Sequence, residues 1–146
     1  MKRPTPNVFL FVFVSFICIS CASVKLADTD ADITAKSFAV DSGKSNIYIF
    51  RNEDIVLNTP ISIQVNGAPL GNTGAKTYIL AKVLPGKHTI VAKGENTEKL
   101  IVETEADRNY FIWLEVRLGA VTNHGHLHLV NKAEGKKGVA ESRLIK

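Results

Sequence analysis

The sequence predicts an all-β fold: an antiparallel β-sandwich of about seven to eight strands followed by a short C-terminal helix. Three observations lead there. Short apolar runs alternate inside and outside with a period of two from Asn46 onward. Gly, Pro and Asn turn signals separate those runs every eight to twelve residues or so. No long apolar stretch of helical period stands between the runs, which excludes a parallel α/β sheet. The 146 residues are 45% hydrophobic and 22% charged, the size and balance of one globular domain.

The strands follow in order. "NIYIF" is apolar on both faces, Ile47 and Ile49 against Tyr48 and Phe50, as suits a central strand. "ISIQV" points Ile61, Ile63 and Val65 inward and Ser62 and Gln64 outward. Asn66-Gly67 then supplies two positions that tolerate positive φ, a hairpin signal. Pro69 makes the return, Ala68 to Leu70, a short edge. "KTYILAKVL" is the next strand, and Leu84-Pro85-Gly86-Lys87 has proline and glycine where a type II turn wants them. "KHTIVAK" returns with His88, Ile90 and Ala92 inward. Gly94-Glu95-Asn96 turns the chain into "EKLIVET", and Asp107-Arg108-Asn109 turns it into "YFIWLEVRL". That last run is the most apolar and is expected at the centre of the core, its Tyr110, Phe111 and Trp113 joining the two sheets. "HLHLV" is the final clear strand. Asn131 with Glu134 three residues on resembles a capping box that opens a short helix, which Gly135 and Gly138 weaken.

The first 44 residues have a different character. Lys2 and Arg3 precede the apolar run "VFLFVFVSFICI", the form of a secretory leader. At ~1.5 Å per residue, 12 to 14 helical residues reach only about 20 Å, short of a ~30 Å hydrocarbon core, so a retained membrane span is the weaker reading. Cys18-Ile19-Ser20-Cys21 resembles the lipobox of bacterial lipoproteins, with small residues before the cysteine that becomes the acylated N-terminus. Cys18 stands where leucine is usual. On this reading residues 1–20 are the signal peptide, Cys21 carries palmitate-type acyl chains, and residues 21–44 are an anchor and tether with one weak helical turn near Asp30 to Phe38. The domain then occupies 45–146. Neither cysteine is left for a disulfide or a metal. The competing reading is cleavage after Ala22, which releases a soluble chain without cysteine. Ala22 and Ser23, with no aspartate after Cys21, imply by resemblance to the enteric sorting pattern transfer to the outer membrane, most plainly on its periplasmic face.

Loss of the leader removes two of the 18 bases, so 16 bases face 14 acids, a net of +2 against +4 for the whole chain. Nothing in this balance asks for nucleic acid.

"NIYIFRNE", "PISIQVNGAPLGNT", "KTYILAKVLPGKHTI", "RNYFIWLEV" and "LHLVNKAEGKKGVAE" together resemble the DUF2846 family of small bacterial lipoproteins, over about Lys36 to Leu144. "VNGAPLG" and "LPGKHTI" also resemble PEGA-type β modules, so the sandwich is expected to be Ig-like or PEGA-like. The resemblance implies an envelope lipoprotein with a small β domain, and it transfers no catalytic residues; an envelope protein partner is expected for such an interaction module.

Few residues are candidates for chemistry. His124, His126 and His128 recur at every second position, so on a strand they share a face at about 6.6 to 6.8 Å spacing. Neutral imidazole suits zinc, nickel or copper, with His88 or a carboxylate completing the set. The plainer expectation is that Leu127 and Leu129 fill the core while the histidines face solvent. His88 is expected as a hydrogen-bonded strand residue, and Glu103 and Glu105 as a solvated pair. Arg51, Asn52, Glu53 and Asp54 close the first strand and read as a polar loop, or as a recognition loop at one end of the sandwich. The C-terminal bases Lys132, Lys136, Lys137, Arg143 and Lys146 read as a solvated helix face that can touch anionic lipid. No Gly-x-Ser-x-Gly elbow or phosphate-binding glycine loop is present. A non-enzymatic protein, with no catalytic residue and no cofactor, is therefore expected.

Overall fold

A computed structural model describes residues 24–54, 60–118 and 123–146. Helix α1 is Thr29–Lys36, and the strands are β1 Ser45–Arg51, β2 Ile61–Val65, β3 Ala68–Thr73, β4 Thr77–Val83, β5 Gly86–Lys93, β6 Thr97–Thr104, β7 Arg108–Leu118 and β8 Asn123–Val130. Helix α2, Lys132–Ala140, and the two-residue β9, Arg143–Leu144, complete the chain. The strands form two sheets, ordered β8-β7-β1-β4-β9 and β3-β2-β5-β6. The sandwich is as expected; all pairings are antiparallel except β1 with β7 and β4 with β9.

Alternation decides which face each side chain joins. Ile47 and Ile49 of β1, Ile79 of β4, and Ile112 and Leu114 of β7 meet Ile61, Ile63, Ile90 and Val102 of the other sheet in the core between the sheets. The opposite face of the five-stranded sheet is also covered. There Tyr48, Phe50, Tyr78 and Phe111 pack under Ala35 of α1 and Val139 of α2. The molecule is thus three layers: helices, a five-stranded sheet, and a four-stranded sheet. β1 lies in the middle of the middle layer and is buried at all seven positions. It, and not β7, holds the centre.

This corrects the role of the aromatic strand. Phe111 and the half-buried Trp113 join the sheet to the helix layer rather than to the second sheet. Phe111 stacks on Tyr48 with ring centroids 5.2 Å apart, a geometry that contributes ~0.5–1.5 kcal/mol beyond burial. Only Tyr110 of the three packs against the core between the sheets.

The helix glycines are cut-outs. A Cβ on Gly135 would lie 2.1 Å from Phe111 Cγ, and one on Gly138 would lie 2.0 Å from Phe50 Cε2. The cost of two glycines in a nine-residue helix is what lets α2 rest directly on the aromatic face. Asn131 caps α2 as expected, its side chain accepting from the Glu134 N–H at 3.0 Å.

Two turns differ in their consequences. Asn66 and Gly67 sit at φ 52° and 82°, as a two-residue hairpin requires. The Leu84-Pro85-Gly86 corner is not a hairpin. β4 and β5 belong to different sheets, and the corner carries the chain between them. Gly86 takes φ 139°, well beyond the ~80° of a type II turn and open only to glycine.

The region expected as a tether is folded from Val24 on. Leu26 bridges Ile145, and the Ala27 N–H donates to the Leu144 carbonyl at 2.9 Å. Asp28 caps α1. Asp32, buried in the helix, pins it: one carboxylate oxygen accepts from the Tyr78 hydroxyl and the Leu144 N–H, both at 2.9 Å. The other accepts from Lys36 at 2.8 Å. Burial pushes this carboxyl up, but the Lys36, Leu144 and Tyr78 donors outweigh it and hold it below its ordinary range. Composition hid this because the segment is small and polar, and its fixing contacts come from residues more than forty positions away. Phe38 docks against Tyr48 and Phe111, with centroids 5.3 and 5.8 Å away.

Candidate functional site

α2 covers the five-stranded sheet only in part. In the β7–β8 ladder Phe111 faces Val130, Trp113 faces His128, Glu115 faces His126, and Arg117 faces His124. Alternation puts these residues on the helix-side face. α2 sits over the Phe111 end. Beyond it a strip of Trp113, Glu115, Arg117, His124, His126 and His128 remains half-buried or exposed.

The strip is internally bonded. Glu115 Oε2 accepts from Arg117 Nη2 at 2.9 Å and lies 3.0 Å from His128 Nε2. The Arg117 hydrogen bond lowers the Glu115 carboxyl, burial opposes that, and His128 adds to the lowering. His128 also lies against Trp113, ring centroids 5.5 Å apart, and 6.5 Å from the His126 ring. Next to Trp113 a recess of about 240 Å³ opens against α2, lined by Phe50, Asn52, Glu134, Lys137 and Gly138. An indole, a carboxylate shared by two donors, and two imidazoles on a rigid ladder make a surface that can dock a partner by stacking and hydrogen bonding.

The three histidines share the face that their spacing predicts. Leu127 fills the core on the other side, whereas Leu129, also on the outer strand β8, is 54% exposed. Among the described residues no group of three or more His, Cys, Asp or Glu side chains is placed to hold a metal. His128 is turned to Glu115, and His88 belongs to the other sheet. His88 is buried, as expected, with both ring nitrogens occupied. Asn66 Oδ1 accepts from the Thr89 N–H at 2.9 Å, which orients its amide. Asn66 Nδ2 therefore donates to His88 Nδ1 at 2.9 Å, and His88 Nε2 donates to the Leu84 carbonyl at 2.8 Å.

Arg51 closes β1 as expected, but its surroundings are not those of a polar loop. Read as part of a polar loop, it has no exposed surface. Its Nε donates to Glu53 Oε1 at 2.6 Å and its Nη1 to the Thr73 carbonyl at 3.2 Å. Ser142 Oγ donates to the Arg51 carbonyl at 3.1 Å. The signal was available: position 51 continues the inward series 47, 49. Of its neighbours, Asn52 donates to Glu141 at 3.2 Å at the surface, and the exposed Asp54 pairs with Lys76 at 2.9 Å. Of the C-terminal bases, Lys136 lies 4.7 Å over the Phe38 ring. Glu105 pairs with Arg108 at 3.0 Å, and Glu103 is exposed. Cys18 and Cys21 lie outside the described residues.

A protein of Haemophilus influenzae (strain ATCC 51907 / DSM 11121 / KW20 / Rd), described as an uncharacterized protein, is 26% identical over 130 residues, covering 88% of this chain and 77% of the relative. No solved structure matches the chain. Residues 41–126 match the family described as "Protein of unknown function (DUF2846)". That stretch holds β1 to β7 and the start of β8 and leaves both helices outside it. The chain belongs to the DUF2846 family.

Proposed function

We propose that this protein is a lipid-anchored component of a bacterial envelope. Residues 1–20 direct export, processing leaves Cys21 as the N-terminus, and acyl chains on that cysteine hold the β-sandwich at the outer membrane. The observation that carries this reading is Cys18-Ile19-Ser20-Cys21 at the end of an apolar run too short to span a bilayer. Each buried methylene contributes ~0.8 kcal/mol, so two or three chains anchor the protein stably. Fractionation tests it. The parent should partition with membranes and into detergent, and Cys21→Ser should leave them or remain unprocessed. Identical fractionation and trimming of the two forms would contradict the reading.

The domain acts by contact and not by catalysis in this reading. The support is that its buried polar side chains have structural duties. Asp32 pins a helix, Arg51 closes a strand end, and His88 joins a turn to a strand. The Trp113–His128 strip is the surface offered to an envelope protein. A second reading, metal binding, keeps the support of His126 and His128 sharing one face. Trp113 is the chain's single tryptophan and lies against His128, so its fluorescence reports on both readings. Titration with zinc, nickel and copper decides the second. Saturable change below about micromolar would favour it, and none would reject it.

A further inference from the structure

The first described residues bear on how a lipid-anchored domain would stand on a membrane. Val24 is already in the fold, 3.2 Å from the Cβ position of Gly74. The Lys25 carbonyl accepts from the Lys146 N–H at 2.8 Å. Leu26 bridges Ile145. These contacts run along the side of the sandwich where β9 and β3, the outer strands of the two sheets, come together. Gly71 of β3 lies against Ile145 there. Only Ala22 and Ser23 separate Val24 from Cys21. Three Cα steps of 3.8 Å span at most ~11 Å. The headgroup layer that the leash must cross is about 5–7 Å deep. The leash exceeds that depth by only about 4–6 Å.

We infer that the β9–β3 side is a membrane-apposed face, held against phospholipid headgroups by a three-residue leash. The inference rests on the Cys21 reading above. The face carries exposed Lys25 and Lys146, Leu26 at 41% exposure, and a recess of about 200 Å³ between Val24, Asn72 and Ile145. Asp28 and Asp30 stand nearby at the start of α1. With the exposed Arg143 of β9 they leave three bases against two acids, so the leash, more than net charge, sets the contact. β8 is four strands from β9, a distance of ~19 Å at ordinary strand spacing. The outer strand β6 accompanies it, since Asn96 at the head of β6 exchanges two hydrogen bonds with Gly125 of β8, at 2.9 and 2.8 Å. The membrane therefore takes one side of the sandwich, and the histidine strand is presented on the other.

The test uses the full, lipidated chain in phospholipid vesicles. Cys18 leaves with the leader and Cys21 is a thioether, so an introduced cysteine is the free thiol. Asn72→Cys on β3 and Lys99→Cys on β6, both at exposed positions, carry a thiol-linked fluorophore, and the vesicles carry a headgroup-attached nitroxide. Quenching should be at least threefold stronger at position 72 than at position 99. A twenty-residue Gly-Ser insertion between Ser23 and Val24, with an r.m.s. reach of roughly 25 Å, should erase the difference while leaving the lipid in place. Lipid on residue 21 with equal quenching at both positions, or stronger quenching at position 99, overturns this inference alone. An N-terminal peptide without acyl mass overturns the anchoring reading and this inference together.

Discussion

The two sheets of this sandwich bury their faces differently. Every residue of β1 in the five-stranded sheet is buried, whereas β6 in the four-stranded sheet buries only Val102 and Thr104. The difference is the helix layer. Tyr48, Phe50, Tyr78 and Phe111 make one sheet's outer face aromatic, and α1 and α2 close over it. The other sheet's outer face carries Ser62, Gln64, Thr89, Lys99 and Ile101 and meets solvent. A second buried face is possible only where the covering helix has no side chain in the way, which is the part that Gly135 and Gly138 play.

That contrast can be broken at its most crowded point. In an exposed helix, Gly→Ala gains up to ~1 kcal/mol. Gly138→Ala should do the reverse, because its methyl meets the Phe50 ring. A loss of about 3 kcal/mol or more in denaturant unfolding is expected. Combining it with Phe50→Leu should recover part of that loss, and a gain in the single variant would show that α2 is not seated on the sheet.

The second helix is broken at its pin. Asp32→Ala leaves the Tyr78 hydroxyl and the Leu144 N–H without their shared acceptor and should cost roughly 2–4 kcal/mol. The same carboxyl gives a pH signature. Its folded pKa lies below the ordinary 3.8, so its contribution is complete above that value and is lost as pH falls through the folded pKa. Asp32→Asn should be less stable than the parent at pH 7 and should close the gap below about pH 4. A constant gap would contradict the assignment.

A smaller effect comes from the hydroxyl that ties the sheet to α1. Tyr48 donates to the Ala35 carbonyl at 2.8 Å, and burial pushes its own ionisation up to about 12 despite a bond to Asn46. Tyr48→Phe should cost ~1 kcal/mol, read as a shift in the unfolding midpoint. The bare sheet gives the smallest effect. Ile101, 54% exposed opposite Thr89, should accept Lys within about 0.5 kcal/mol. A loss as large as that of Gly138→Ala would mean that this face is covered as well.

Much of this asymmetry was legible in the chain. "NIYIF" is apolar on both faces and "ISIQV" on one, and those patterns distinguish the doubly covered sheet from the singly covered one. The Asn66-Gly67 turn and the Asn131 cap follow from local chemistry and were legible for that reason. What was hidden depends on distant partners. Gly135 and Gly138 look like helix weaknesses until Phe111 and Phe50 stand beneath them. Asp32 looks like one acid among several until Tyr78 and Leu144 arrive. The β1–β7 pairing is parallel and joins segments about sixty residues apart, which no turn signal reports. The strip around Trp113 was half legible: the histidine period showed, but not its pairing with Glu115 across the ladder.

The account of place and role stands on residue 21, and the most direct measurement is the intact mass of the N-terminal peptide from purified membranes. A chain that begins at Cys21 and carries diacylglycerol on its sulfur is expected. An unmodified N-terminus at Ser23, or a chain that still carries its leader, would contradict it.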